Sequence, residues 1–465
     1  MYSLLLIFEK AFSCKAARTC FSTLKKPGVR YRTPFRIDKA GHYCFPLTPP
    51  AMTAVDMAAS PTRPSALAGY EDWPDYVARN RHTPDSKEAA QLADTLGMPA
   101  LTPDLESAVV SESEHDGVIT SRLQWQLGFG PGTSAWFVRP AGATGPLPGL
   151  LALHCHGGIK AYGAERLVAL PDGHDNPDGG GPSGGKPGSV PGSASLALPP
   201  LDISAKLYGG RALATWLAQQ GFAVLAHDTF MWGSRRFELH PLPWRTANAV
   251  SGRNALWREA GVEPSAAEQY NAAAAAHEET VAKAATLMGT SVAGTVAHDD
   301  LAAFRILASL PGVDIERLGC VGFSGGGGRA MVLAALSPLI RSYVVTCMMT
   351  TFGSLLPSYL DAHSWLLHTP GLAKLGDWPD LAVRSSATVL VQYGLADRLF
   401  PVQGMRDAHH HLLENMPARY TGSFWQEPHV FTPAMQDEAA SFLTATLQPG
   451  QPTSTPTPDS TRTYQ

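Results

Sequence analysis

Apolar residues recur along this chain in two rhythms. Short continuous or alternating runs, of the kind that pair into a sheet, lie near 119–128, 134–139, 149–155, 222–227, 317–323, 341–347, 387–393 and 419–426. Stretches with apolar positions three and four residues apart, which share one helix face, lie near 204–219, 265–287, 296–309, 327–336, 402–415 and 432–446. From about residue 149 the two kinds alternate. Parallel strands need a crossover between them, so the alternation predicts an α/β class: a mostly parallel central sheet with helices on both faces. Insertions at 229–295 and 350–385 follow predicted strands, where loops at the sheet's carboxyl edge build a pocket. Trp232, Trp244, Trp257, Phe352, Tyr359 and Trp365 fall within them as candidate lining.

Other segments lack either rhythm. Residues 60–115 read as mostly helical and irregular. Residues 172–195 are rich in Gly, Pro and Ser and cannot bury apolar surface, which predicts a flexible surface loop. The tail 448–465 is Pro- and Thr-rich, with the composition of a disordered segment. The expected organisation is a basic extension over 1–56, a helical appendage over 57–118, and an α/β domain over 119–447 followed by the tail. The first fifty residues hold nine Lys or Arg against Glu9 and Asp38. That bias fits an organelle transit peptide, and it equally fits a miscalled start upstream of Met52 or Met57. The corresponding locations are the cytoplasm or, with a transit peptide, the mitochondrion.

One predicted strand ends in Gly322-Phe323-Ser324-Gly325-Gly326, a G-x-S-x-G sequence followed by an apolar helical stretch. A serine flanked by glycines at a strand-to-helix turn is held out above the sheet edge, with the amides of the next helix aimed at the same point. A serine nucleophile needs a base, and the base an orienting acid. Asp397 sits in the loop after the strand at 387–393, and His429 in the loop after the strand at 419–426. Ser324, Asp397 and His429 are therefore the candidate catalytic residues, in the order nucleophile, acid, base. His409, His410 and His411 lie in a helical stretch and read as solvated helix surface. Upstream, the strand at 149–155 runs into His154-Cys155-His156-Gly157-Gly158. Glycines at a strand exit let backbone amides approach an oxyanion, so His156, Gly157 or Gly158 supplies a second donor beside Gly325. His154 and His156 share one strand face, but no third ligand has suitable spacing, so no metal site is read there.

These residues resemble the acetyl xylan esterase and dienelactone hydrolase group of α/β-hydrolases. The resemblance covers about residues 150–447 and includes Ala223 to Asp228 with Trp232 to Arg236, His298 to Arg305, and Val313 to Glu316. It implies an α/β-hydrolase fold with loop insertions over the pocket, and a serine hydrolase cleaving carboxylic esters through an acyl-enzyme. Dienelactone hydrolases proper carry cysteine as nucleophile, whereas position 324 is serine, which favours ordinary esters. Two other readings share parts of the pattern. A prolyl-oligopeptidase type of serine peptidase has the same elbow and order, but the roughly 115 residues before the first predicted strand hold no propeller repeats. A non-catalytic ligand-binding member of the fold would normally lack one of the three side chains.

Composition sets the remaining bounds. The 465 residues, 44% hydrophobic, suffice for a large core. A formal charge of −4 offers no electrostatic footprint for nucleic acid. No apolar run reaches the roughly 20 residues of a membrane span. The expected partner is a small-molecule ester; no cofactor is called for, and nothing in the chain sets an oligomeric state. Cysteines at 14, 20, 44, 155, 320 and 347 show no paired spacing, which suits a reducing compartment.

Overall fold

A strand such as Thr388–Gly394 (TVLVQYG) has no polar face and is stable only with both sides of its sheet covered. That requirement organises the molecule. The computed structural model describes residues 36–37, 43–44, 65, 67–79, 87–170 and 200–448. The insertion at 172–195 and the tail from 449 lie outside them, as does nearly all of 1–56. Within residues 1–62, β1 (Arg36–Ile37) and β2 (Tyr43–Cys44) pair antiparallel as a two-stranded ribbon.

Within residues 63–465 nine strands form one sheet: β3 (Ala108–His115), β4 (Val118–Trp125), β5 (Thr133–Pro140), β6 (Leu147–Leu153), β7 (Ala223–His227), β8 (Val313–Phe323), β9 (Ile340–Thr346), β10 (Thr388–Gly394) and β11 (Tyr420–Trp425). Their order is β11-β10-β9-β8-β6-β7-β5-β4-β3. The six strands from β6 to β11 are parallel, and β5, β4 and β3 continue the sheet antiparallel beyond β7. After β6 the chain adds β7 on one side and β8 on the other. Winding reverses at that point, and the crevice so opened lies at the carboxyl ends of β6 and β8.

Alternate residues of each strand serve the two faces. Leu150 and Ala152 join Val224, Val321 and Val344 against the helices Leu213–Gln219 and Pro433–Leu447. Leu151 and Leu153 join Leu225, Tyr343 and Val391 against the helices Val292–Ser309, Gly325–Leu336 and Val402–Asn415. Every strand predicted from 119 onward is present near its expected position.

Four expectations are corrected. The segment read as helical and irregular does contain the helices Trp73–Arg79 and Lys87–Leu96, but it ends in the strand β3. That strand is exposed at nearly every position and so carries no buried alternation to read. Its glutamates suit a sheet edge that must not pair further. The boundary expected at 118/119 falls inside β4. The segment is also part of the main core, since Tyr70, Trp73, Leu92 and Leu96 are buried within it. Finally, the helix expected over 204–219 is two helices, Pro200–Tyr208 and Leu213–Gln219. Gly209 and Gly210 separate them with φ of 61° and 80°, values an α-helix does not contain.

Among the described residues no helix is long and apolar enough to cross a membrane. Cys155, Cys320 and Cys347 are buried free thiols.

Candidate active site

β8 delivers Ser324 to the carboxyl edge of the sheet in a backbone conformation that side chains avoid, with φ 57° and ψ −125°. A non-glycine residue held there stores about 1–3 kcal/mol of strain. The surroundings enforce it. The Ser324 amide donates to the Thr346 carbonyl (2.8 Å), and the Ser324 carbonyl accepts from the amides of Gly327 (2.8 Å) and Gly328 (3.2 Å). Glycine is required on both sides of the turn. A Cβ at Gly322 would stand 2.0 Å from the Gly326 carbonyl oxygen, and one at Gly326 would stand 2.1 Å from that of Leu153.

Loops after the neighbouring strands bring the partners in. The amide of Leu395, just past β10, donates to the Trp425 carbonyl (2.8 Å), and that of Ala396 donates to the Glu427 carbonyl (3.1 Å). The Asp397 and His429 loops are thereby tied together. His429 Nε2 lies 2.7 Å from Ser324 Oγ, and His429 Nδ1 lies 2.6 Å from Asp397 Oδ2. Asp397 Oδ1 accepts from the Leu399 amide (2.8 Å). With a carboxylate on Nδ1, the proton belongs on that nitrogen, and Nε2 is left as the acceptor for the serine hydroxyl. Ser324 and Asp397 are buried, and the His429 ring is flanked by Phe323 (4.9 Å) and Phe400 (6.0 Å).

The turn after β6 closes over the elbow. Gly157 and Gly158 take φ of 61° and 67°, and the Gly158 amide donates to His156 Nδ1 (3.0 Å). That bond engages Gly158 within the turn. The His156 amide nitrogen lies 3.2 Å from where a Cβ on Gly325 would stand, so these two amides are neighbours. Gly325 is the first residue of its helix, where an amide has no intrahelical acceptor.

The other histidines are placed elsewhere. His409 is not solvated surface: its Nδ1 lies 2.6 Å from the Tyr420 hydroxyl, and its ring packs on Phe424. His411 Nε2 is 2.8 Å from Asp380 Oδ1, and His410 remains exposed. His154 is buried behind the turn, where desolvation holds its pKa well below the usual histidine value. Among the described residues no three His, Cys, Asp or Glu side chains converge as metal ligands. Of the six candidate aromatics, Trp232 packs edge-on to the His156 ring (5.2 Å), and Trp365 follows Ser364 in the turn over the elbow. Phe352 instead packs on Trp378, and Trp244 sits half exposed on the helix Trp244–Glu259.

Two buried charge clusters behind this geometry escaped the sequence reading. Arg329, on the helix after the elbow, donates from Nη2 to Asp300 Oδ1 (2.6 Å), from Nε to Asp300 Oδ2 (2.9 Å), and from Nη1 to the His154 carbonyl (3.0 Å). His227 Nε2 lies 3.0 Å from Asp300 Oδ1. The elbow helix is thus bolted to the end of β6 and to the helix Val292–Ser309. Burial alone would raise the Asp300 pKa, but Arg329 outweighs it and holds the carboxyl below its usual range. A lone arginine in an otherwise apolar helix was the available signal. The second cluster centres on Glu278 and Lys160; a glutamate on the Ala274, Val281 and Ala285 face of its helix was the available signal there.

A parallel sheet with a strained serine at its switch point, and an acid–histidine pair leaving the next strands, defines an α/β-hydrolase. The chain belongs to the dienelactone hydrolase family, whose model matches residues 209–441, half of its length. In general terms it is a serine hydrolase of the esterase class. It is 24% identical over 273 residues to “Putative hydrolase YtaP” of Bacillus subtilis (strain 168), which covers 58% of this chain and 67% of that one. Among solved structures it is similar to acetyl xylan esterase 1 from Thermoanaerobacterium sp. JW/SL YS485, with 16% identity and a TM-score of 0.43 over 80% of this chain and 96% of that one. It is likewise similar to a glucuronoyl esterase from Solibacter usitatus, with 12% identity and a TM-score of 0.49 over 83% and 98%.

Proposed function

We propose that this protein hydrolyses carboxylic esters through an acyl-enzyme, with Ser324 as nucleophile, His429 as general base and acid, and Asp397 orienting the imidazole. The observation that carries this reading is the continuous relay of 2.7 Å and 2.6 Å from Ser324 Oγ through His429 to Asp397. Ser324 attacks the ester carbonyl as His429 Nε2 takes the hydroxyl proton, and Asp397 stabilises the imidazolium that results. The negative oxygen of the tetrahedral intermediate is received by the amides of Gly325 and His156. His429 then protonates the departing alcohol. Water, deprotonated by the same nitrogen, attacks the acyl-enzyme and releases the acid.

The test is Ser324→Ala, assayed on a panel of aryl and sugar esters of graded acyl length with a lactone included. Loss of a triad nucleophile lowers turnover by about 10⁴–10⁶-fold. A fluorophosphonate should label the wild type and not the variant. A folded Ser324→Ala protein that retains a large share of the wild-type rate overturns the assignment.

A further inference from the structure

The turn that carries the His156 amide is not self-supporting. Two glycines in left-handed conformation follow it; Arg166 donates to the Cys155 and Ile159 carbonyls on either side, and the side chains of His156 and Lys160 reach across to the first insertion. Both lead to one residue. Glu278 lies in the middle of the helix Ala266–Met288, within the first insertion, and is buried. Its Oε2 accepts from the Lys160 ammonium and faces His156 Nε2 at 3.6 Å. Because the Gly158 amide donates to Nδ1, the proton of the neutral His156 ring is on Nε2, turned toward this carboxylate. Trp232 packs between the two, edge-on to His156 and with the Lys160 ammonium 5.5 Å above its ring.

The other oxygen serves the second insertion. Glu278 Oε1 accepts from the Ser364 hydroxyl and from the Trp365 amide (2.8 Å). That turn lies directly on the elbow helix. A Cβ at Gly325 would meet Leu366 Cδ2 at 2.8 Å, and one at Gly328 would meet Leu367 Cδ2 at 2.4 Å. On its far side the His363 ring packs on Phe400 (4.7 Å), which in turn flanks His429. One carboxylate therefore joins the turn behind the oxyanion amide to the segment roofing the nucleophile. Both its oxygens are used: Oε2 takes a charge-assisted bond from the Lys160 ammonium, and Oε1 accepts from two neutral donors.

We propose that Glu278 is a positioning residue for ester hydrolysis, holding the His156 amide in register with Gly325 while pinning the 364–367 turn over Ser324. It touches no reacting atom. The inference rests on the serine-esterase reading above. Loss of the carboxylate lets the turn drift, and an oxyanion donor aimed wrongly is felt at the transition state more than in substrate binding. Ser364→Ala loosens only the roof, so its effect falls mainly on KM.

The experiment compares wild type, Glu278→Gln, Ser364→Ala and the double variant Glu278→Gln/Lys160→Met on the aryl ester the wild type turns over best. Sites are counted by fluorophosphonate labelling at completion, and melting is followed in parallel. The expected result for Glu278→Gln is a fall in kcat per site of about 10–100-fold, less than the ~10²–10³ seen for outright removal of an oxyanion donor. KM should change little by comparison. The double variant leaves no unpaired buried charge; should the single variant not fold, it provides the same reading. A wild-type kcat in whichever Glu278 variant folds, or a loss there confined to KM, overturns the proposal while leaving the serine-esterase reading intact. A wild type inactive on every ester, or an active Ser324→Ala protein, sinks that reading instead.

Discussion

Arg329→Met is the sharpest test of how the elbow is held. The arginine is almost fully buried, as are Asp300, His227 and His154 around it. Its removal leaves the Asp300 carboxylate with His227 as partner and takes away the donor that the His154 carbonyl accepts from. Breaking a buried ion pair from one side costs about 3–5 kcal/mol, against a total of about 5–15 kcal/mol for a folded domain. The variant should lose about a fifth or more of its stability, read as a lower urea midpoint with unchanged slope. The sign with pH is fixed by the same contacts. In the wild type Arg329 keeps Asp300 ionised below the usual range, so its contribution is constant down to weakly acidic pH and is lost only as pH falls through that depressed pKa. Without Arg329, burial raises the Asp300 pKa, and protonation relieves the penalty as the solution is acidified. His154 moves the same way, since Arg329 adds to the desolvation that depresses its pKa. The deficit should therefore shrink between pH 7.5 and 5.5. Arg329→Met/Asp300→Asn should recover much of it at pH 7.5, because neither charge is then left alone. A deficit under about 1 kcal/mol at pH 7.5, or one that widens on acidification, refutes the account.

Two further outcomes follow from the placement of particular residues. His429→Ala should lower turnover by orders of magnitude, whereas His409→Ala, whose ring serves Tyr420 and Phe424, should leave the rate per folded molecule near wild type; equal losses would mean the base is misassigned. Deleting residues 1–56 should leave melting and turnover close to wild type, while deleting 1–100 should abolish the cooperative transition, because Tyr70, Trp73, Leu92 and Leu96 go with it; a folded, active 101–465 protein would show that this segment is dispensable.

The centre of the parallel sheet was legible because burial on both faces demands continuous apolar runs, as in β6, β7 and β10, whereas the edge strand β11 was read from its alternation. The elbow was legible for a related reason: Gly322 and Gly326 have backbone oxygens where a Cβ would be, so the chain spells the turn in glycine. Asp397 and His429 could be selected because each follows a recognisable strand, and the structure sets both within one hydrogen-bond relay of Ser324. β3 was not legible. An edge strand facing solvent obeys no burial period, and Ser111, Glu112, Ser113 and Glu114 read equally well as loop.

The two charge clusters were illegible for a deeper reason. Asp300 and Arg329 are 29 residues apart, and Lys160 and Glu278 are 118 apart, so no local period can pair them. What a sequence does record is the anomaly that such a pair creates on each element separately. Arg329 interrupts an apolar helix, and Glu278 lies on a face of its helix occupied by Ala274, Val281 and Ala285, all buried. A charge at a core position costs several kcal/mol unless a partner is supplied, so each such residue announces a missing counter-charge without naming it. Both turn out to hold the chain at the turn after β6: Arg329 through the His154 carbonyl, Glu278 through Lys160 and the His156 ring. The serine is positioned by steric exclusion at glycines. The amides opposite it are positioned by buried charge, and that is the part of the site a one-residue-at-a-time reading passes over.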